Sequence, residues 1–435
     1  MSTEAPDQPE PAPPRVALAT IAREWGRIGC IGFGGPPAHI ALLRRLCVSD
    51  RAWLSDREFE DGIAACNLLP GPASTQLAIF CAWRLRGPAG AVLGGFCFIV
   101  PGLVVILGLA SVFLAARPPG WIQGGAEGAG AAVPAVAVAA AAGLLPGSWR
   151  RAGARRAARA RWCGYLLAGG LASAAIGPWL VLAVVACGLI EVVVAIRPSA
   201  DRALAALPLG LPVSRLRVTG LRVTGLRVAG MRVAGMRVAG LRVAGLRVGT
   251  VAALPAAGGF LALAWVAFKV GALSYGGGFV IIPLIQHDAV GTYHWMTATQ
   301  FLGAVALGQV TPGPVVLTVA VVGYAAAGVT GGLLAVAVAF APSFAFVLGG
   351  GRYFDRLRGN ARVQAFLTGA GAASIGAIAG AAVPLGLALV HLWQLGVLAL
   401  AAAWLLALRR GVVGAIVGGA ALGVIAFLAG APVGA

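Results

Sequence analysis

Two short stretches carry the residue types from which a membrane-buried anion site can be built. Leu68-Leu69-Pro70-Gly71-Pro72-Ala73-Ser74-Thr75-Gln76 and Val310-Thr311-Pro312-Gly313-Pro314-Val315 each set a Pro-Gly-Pro triplet inside an apolar segment. Proline removes a backbone donor and clashes with the preceding turn, so each triplet must interrupt a helix. Interrupted backbone at membrane depth persists only where protein buries it or where it lines a wet cavity. The helix that restarts beyond the break aims free N–H groups and the positive end of its dipole at that cavity. The chemistry on offer is recognition of a negative guest, with no covalent bond made or broken. Ser74, Thr75 and Gln76 follow the first break, Thr311 adjoins the second, and an amide precedes each, Asn67 and Gln309. A packing kink is the plainer explanation, because Gly and Pro are frequent in spanning helices. The polar run and the recurrence favour a site.

Other residues carry weaker signals. Gly34 and Gly35, with Gly276 and Gly277 downstream, let backbone approach a ligand or another helix closely. His39 has the chemistry of a proton-responsive or anion-facing group, but a lone histidine is more often structural and Ile281 occupies its downstream counterpart. Arg44 and Arg45 lie among Asp50, Asp56, Glu58, Glu60 and Asp61 in what reads mainly as a solvated loop. At a pore mouth Arg44 would attract anions, and Glu58 or Asp61 would take a coupling proton. Lys269 and Glu127 sit inside apolar runs, where charges are costly enough to suggest function, with snorkelling as the alternative for Lys269. No His/Asp/Glu cluster suited to catalysis is visible, so the chain is not read as an enzyme. The seven cysteines lack CxxC spacing, and the single lysine does not follow a glycine-rich phosphate loop. No metal, cofactor or ATP-hydrolysing domain is expected.

The elements that must position these residues are transmembrane helices. Of 435 residues, 59% are hydrophobic and 11% charged, against roughly 25% charged in soluble domains. About ten runs are long enough to cross a bilayer. The net charge of +19 comes from arginines gathered in loops, as the positive-inside rule produces, and no nucleic-acid partner is inferred. Residues 1–15 form a proline-rich and acidic tail, read as disordered. Val16 to Gly32 is only moderately apolar and is expected along the membrane interface. The run Gly164 to Ile196, with Gly177-Pro178 near its middle, divides into two short helices. Residues 198–250 contain an LRVAG-type pentapeptide repeat from Arg217 to Arg247, read as a basic cytosolic linker.

A shift of 242 residues pairs Phe33-Gly34-Gly35 with Tyr275-Gly276-Gly277, Trp53 with Trp295, Phe59 with Phe301, and the first Pro-Gly-Pro with the second. The chain is a duplicated unit, 16–197 and 251–435. Basic loops swap between the halves: Arg84–Arg86 and Arg150–Arg161 in the first, Arg352–Arg362 in the second. Equivalent loops therefore lie on opposite sides. The expected fold is an all-α polytopic membrane protein, an inverted repeat with broken helices and about 10–12 transmembrane segments.

Phe33-Gly34-Gly35-Pro36-Pro37-Ala38-His39, Leu69 to Gln76, Tyr275-Gly276-Gly277-Gly278 and Ala306 to Val315 resemble the signature segments of the chromate transporter family in its long, two-domain form. The resemblance implies an inner-membrane carrier that exports chromate and confers resistance, with sulfate as the look-alike ion. A dianion leaving a negative interior gains about 2.3 kcal/mol per charge per 100 mV, roughly 4.6 in all, enough for more than a thousandfold gradient without ATP. The expected cradle combines N–H groups after Pro72 and Pro314 with Asn67, Ser74, Thr75, Gln309 and an unassigned basic side chain. A sulfate or other oxyanion carrier, or an anion channel, stands as the alternative; a homodimer is compatible with the sequence.

Overall fold

A computed structural model describes residues 15–66, 69, 71–115, 118–175, 180–196, 259–274, 281–350 and 360–433. Among these are fourteen helices and no strand. The first half contributes α1 (Leu18–Ile31), α2 (Pro36–Arg44, running into a π-helical turn at Arg45–Asp50), α3 (Asp56–Cys66), α4 (Ala73–Phe113), α5 (Gly120–Ala152), α6 (Arg156–Ala175) and α7 (Leu180–Ile196). The second contributes α8 (Phe260–Leu273), α9 (Ile282–Gln286, with its π-helical turn at His287–Thr292), α10 (Ala298–Val310), α11 (Thr318–Gly350), α12 (Ala361–Leu387), α13 (Leu392–Ala402) and α14 (Val412–Leu428). The 242-residue shift carries the bounds of α1 onto α8 and of one π-helical turn onto the other. It also carries Ala52 (φ 47°) onto His294 (φ 52°), two non-glycine residues in the left-handed region.

α4 and α11 are each bent double. Arg86 and Gly87 leave helical geometry, Gly87 at φ 62°, and Ala327 and Gly328 repeat the departure, Gly328 at φ 63°. Beyond the turn the chain folds back, with Gly94 against Ala82 and Gly331 against the Gly323 carbonyl. The first limb of α4, Ala73–Leu85, rises about 20 Å at 1.5 Å per residue, short of a ~30 Å hydrocarbon core. It packs antiparallel on α3, Gly62 meeting Phe80 and Leu77. The first Pro-Gly-Pro is therefore the tip of a re-entrant hairpin, not an interruption in a crossing helix. Hydropathy cannot distinguish the two, since both bury apolar side chains on either side of the break.

α1 packs along α4. Ile21, Trp25 and Ile28 form one buried stripe facing α4, and Trp25 Nε1 donates to the Ala78 carbonyl at 2.8 Å. A side chain at Gly29 would meet the Phe98 carbonyl at 2.7 Å, so glycine is what lets this helix sit flush. Apolar burial outweighs the charges of Arg23 and Arg27, which lie off the stripe.

The second limbs of α4 and α11 touch at Gly95 with Phe344 and at Leu107 with Gly332, so these equivalent helices run antiparallel. That is the geometry of an inverted repeat. α5 and α12 are equivalent too: a shift of 241 residues lays Gln123 on Gln364 and Gly128-Ala129-Gly130-Ala131-Ala132 on Gly369-Ala370-Gly371-Ala372-Ala373. Glycines bring α5 onto α14 at Gly128 and Gly419, and α6 onto α12 at Gly169 and Ala373. Among the described residues four helices are long and apolar enough to cross a bilayer by length and composition, Ala73–Phe113, Gly120–Ala152, Val315–Gly350 and Ala361–Leu387, and there are several shorter apolar helices. The run ending at Ile196 divides after Ala175, as expected.

Candidate anion site at the re-entrant tips

Each tip is pinned by the opposite half. The Gly71 N–H donates to the Ser274 carbonyl at 2.6 Å, and the Gly313 N–H donates to the Gly32 carbonyl at 3.0 Å. These bonds are the same bond twice, because Gly32 and Ser274 are related by the repeat and close α1 and α8. Both tip glycines adopt positive φ, 128° and 102°, where any other residue is strained.

His39 ties the tips together. Buried at the side of α4, its Nε2 lies 2.8 Å from the Gly32 carbonyl and its Nδ1 3.3 Å from Ser74 Oγ. The Gly32 oxygen thus meets the second tip through Gly313 and the first through His39 and Ser74.

A cavity of about 710 Å³ reaches the first tip. Gly71 and Ser374 stand at its buried end and the exposed side chains of Glu60, Arg150 and Arg151 at its mouth. Neither arginine forms an ion pair with a described residue, and α5 delivers both at its C-terminal turn. Several fully buried polar atoms lack a hydrogen-bond partner among the described residues: Thr75 Oγ1, Ser274 Oγ, Gln309 Nε2, Ser343 Oγ and Ser374 Oγ. Unsatisfied polar atoms in a buried region are rare and call for a polar guest or water. Ser343 Oγ lies 3.1 Å from where a side chain at Gly71 would begin.

The second tip is closed. Residues 311–318 are all buried; Gly102 backs onto the Pro312 carbonyl, and Gly35 faces Val315. Gly34 and Gly35, at φ 98° and 73°, thus bring backbone to the second tip and serve helix approach in this arrangement. The Thr311 hydroxyl donates to the Leu307 carbonyl at 2.7 Å, capping its own helix instead of facing a guest. Pro72 starts α4 and Pro314 precedes a short 3₁₀ turn. Ser74, Thr75 and Gln76 are all buried at the start of α4. Asn67, Pro70, Gly276, Gly277 and the arginine repeat lie outside the described residues.

The charged candidates are held in ion pairs or hydrogen bonds, Arg44 on the mouth residue Glu60. Arg44 pairs with Asp56 at 2.9 Å and Glu60 at 2.7 Å, and the Asp56 hydrogen bond raises its pKa above the ordinary guanidinium value. These pairs brace the loop. Glu58 pairs with Arg84 and caps α3 through Ser55, and Asp61 follows half-buried on the same helix. Lys269 does not snorkel: its Nζ meets Asp288 at 2.5 Å, both side chains largely buried. Glu127 is buried away from the cavity and accepts a hydrogen bond from Gln394 at 3.0 Å. Arg150, Arg151, Ser343 and Ser374 were not singled out from sequence. The arginines were legible only as a loop-charge signal, and the serines carry no local pattern.

A family model for the chromate transporter matches residues 19–192 and 261–424, both halves of the repeat. The chain belongs to the chromate transporter family. Among its chromate transporter relatives, the chromate transport protein of Cupriavidus metallidurans is 30% identical over 381 residues, 86% of this chain and 83% of that one. The probable chromate transport protein of Synechococcus elongatus is 27% identical over 394 residues, 90% and 91% of the two chains. The chromate transport protein of Pseudomonas aeruginosa is 30% identical over 376 residues, 85% and 81%. No solved structure matches the chain.

Proposed function

We propose that this protein is a secondary carrier that exports chromate, a tetrahedral dianion, across the cytoplasmic membrane and so confers resistance to it. The observation that carries the reading is the cavity joining Arg150 and Arg151 to the first tip. The arginines raise the local anion concentration at the mouth. At the buried end the unbonded N–H groups that open α4 contribute roughly half a charge, and charge-assisted hydrogen bonds add about 1.5–3 kcal/mol each toward replacing hydration. Of the buried side chains with hydrogen-bonding capacity to spare, Thr75, Ser274, Gln309, Ser343 and Ser374, the last lines the cavity. The names of the relatives point to chromate as the guest.

The cavity mouth lies at the end of α5 that carries Arg150 and Arg151, where the basic run to Arg161 begins, the cytosolic end by the positive-inside rule. Inversion of the repeat supplies the other state: Gly313 open and Gly71 sealed. No ATP is needed, since the membrane potential drives a dianion outward.

The test is labelled chromate uptake into inside-out vesicles with sulfate as competitor. An inside-positive potential should drive accumulation in the absence of ATP. Uptake indifferent to the potential refutes the secondary mechanism, and no uptake above vesicles lacking the protein refutes export.

A further inference from the structure

The chemistry of His39 extends the reading above and rests on it. The Gly32 carbonyl can only accept, so the imidazole nitrogen 2.8 Å from it, Nε2, must carry a hydrogen. In the neutral ring Nδ1 is then an acceptor, and the Ser74 hydroxyl spends its one hydrogen on it. In that state Ser74 has no proton to offer an anion.

We propose that His39 is a proton-linked positioning residue: binding one proton turns Nδ1 into a donor, releases the Ser74 hydroxyl hydrogen toward the start of α4, and adds a positive charge beside the first tip. No bond other than N–H is formed, and the proton comes from solvent. A dianion at Gly71 gains both the charge and the donor, so anion and proton bind together. Reciprocity follows, each raising the affinity of the other.

The surroundings leave His39 as the group that responds. It faces the Gly32 backbone, Ser74 and the edge of the Phe98 ring at 5.0 Å. On neighbouring elements Glu24 of α1 pairs with Arg27 and Arg51, Arg44 of α2 with Asp56 and Glu60, Arg45 with Asp50, and Glu58 with Arg84 at the far end of the first limb of α4, while Arg23 of α1 and Arg86 of α4 are exposed. Two thiols, Cys30 and Cys97, adjoin this group in sequence, next to α1's end and Phe98. In the second half Ile281 stands at the equivalent position, so the device belongs to one tip alone.

The experiment is calorimetric titration of the full-length protein in nanodiscs with chromate and, separately, with sulfate, which stays doubly ionised throughout pH 5.5–8.5. Each titration is run in two buffers of different ionisation heat. Wild type should bind more weakly as pH rises, by up to about tenfold per pH unit at the steepest, and should take up protons on binding. His39→Gln keeps an N–H for Gly32 but cannot gain a proton; it should bind with a flat profile for sulfate and no proton uptake. Ser74→Ala should keep the uptake and lose affinity. A wild type that binds without proton uptake, or a His39→Gln protein with an unchanged pH slope, overturns the proposal. Should His39→Gln fail to fold, the wild-type buffer dependence decides alone. If neither ion binds wild type at any pH, the transport site falls, and this proposal falls with it.

Discussion

The two halves share a backbone and differ in what surrounds it. In the second, Gly130 of α5 lies against α10, where a side chain would meet Leu302 at 3.0 Å. In the first, the equivalent Gly371 of α12 faces the cavity, and the nearest atom to a side chain there is an Arg151 nitrogen at 4.0 Å. One interface is shut and its mirror image is open. A duplicated sequence with a two-fold axis would give two equal pockets if both halves packed alike; here the two are unequal. The proposed carrier requires these two to exchange, α12 closing on α3 as α5 leaves α10, the alternating access of an inverted repeat.

Breaking the comparison at its centre should give the largest effect. Gly71→Leu puts a side chain into the cavity end at positive φ, and both chromate binding and efflux should vanish while the protein still reaches the membrane. Gly313→Ala should behave differently, with binding near wild type and efflux down about tenfold, because only the sealed tip is strained, by about 1–2 kcal/mol. Equal loss of binding in the two would remove the distinction between tips. Replacing both Arg150 and Arg151 by alanine should raise KM for chromate about 10–100-fold and flatten its salt dependence. His391, the residue 241 positions beyond Arg150, should tolerate alanine with little change in KM.

Stability separates the halves as well. Lys269→Met leaves Asp288 buried without its partner and should cost about 3–5 kcal/mol in thermal unfolding, much of it recovered by adding Asp288→Leu. At the equivalent place in the first half, Arg27→Ala removes an ion pair whose arginine is exposed. Its cost should stay within about 1 kcal/mol.

Much of this was legible in the chain. The repeat was visible as a 242-residue shift, and α1 and α8 match under it to the residue; the tip glycines stood out because Pro-Gly-Pro has few uses at depth. Loop arginines gave the inversion. What escaped was anything set by contacts between segments distant in the chain. That Gly71 is held by Ser274, or that Asp288 neutralises Lys269, depends on contacts between segments hundreds or tens of residues apart. Arg150 and Arg151 were absorbed into a topological signal because nothing local tells a mouth from a loop. In the Val16 to Gly32 stretch charges lowered the average hydropathy and hid the stripe of Ile21, Trp25 and Ile28 that packs on α4. Nor could the sequence tell which tip is open, since both carry the same triplet.

The account turns on alternation, and cysteine accessibility tests it most directly. In a chain freed of its seven native cysteines, Ser374→Cys, in the cavity wall, is compared with Val133→Cys, its equivalent on the buried face of α5. A membrane-impermeant thiol reagent should modify the Ser374→Cys protein from the side bearing Arg150, with chromate slowing the reaction. It should reach the Val133→Cys protein only from the other side and only while chromate is being transported. Labelling of both from one side, or of Val133→Cys regardless of turnover, contradicts the account.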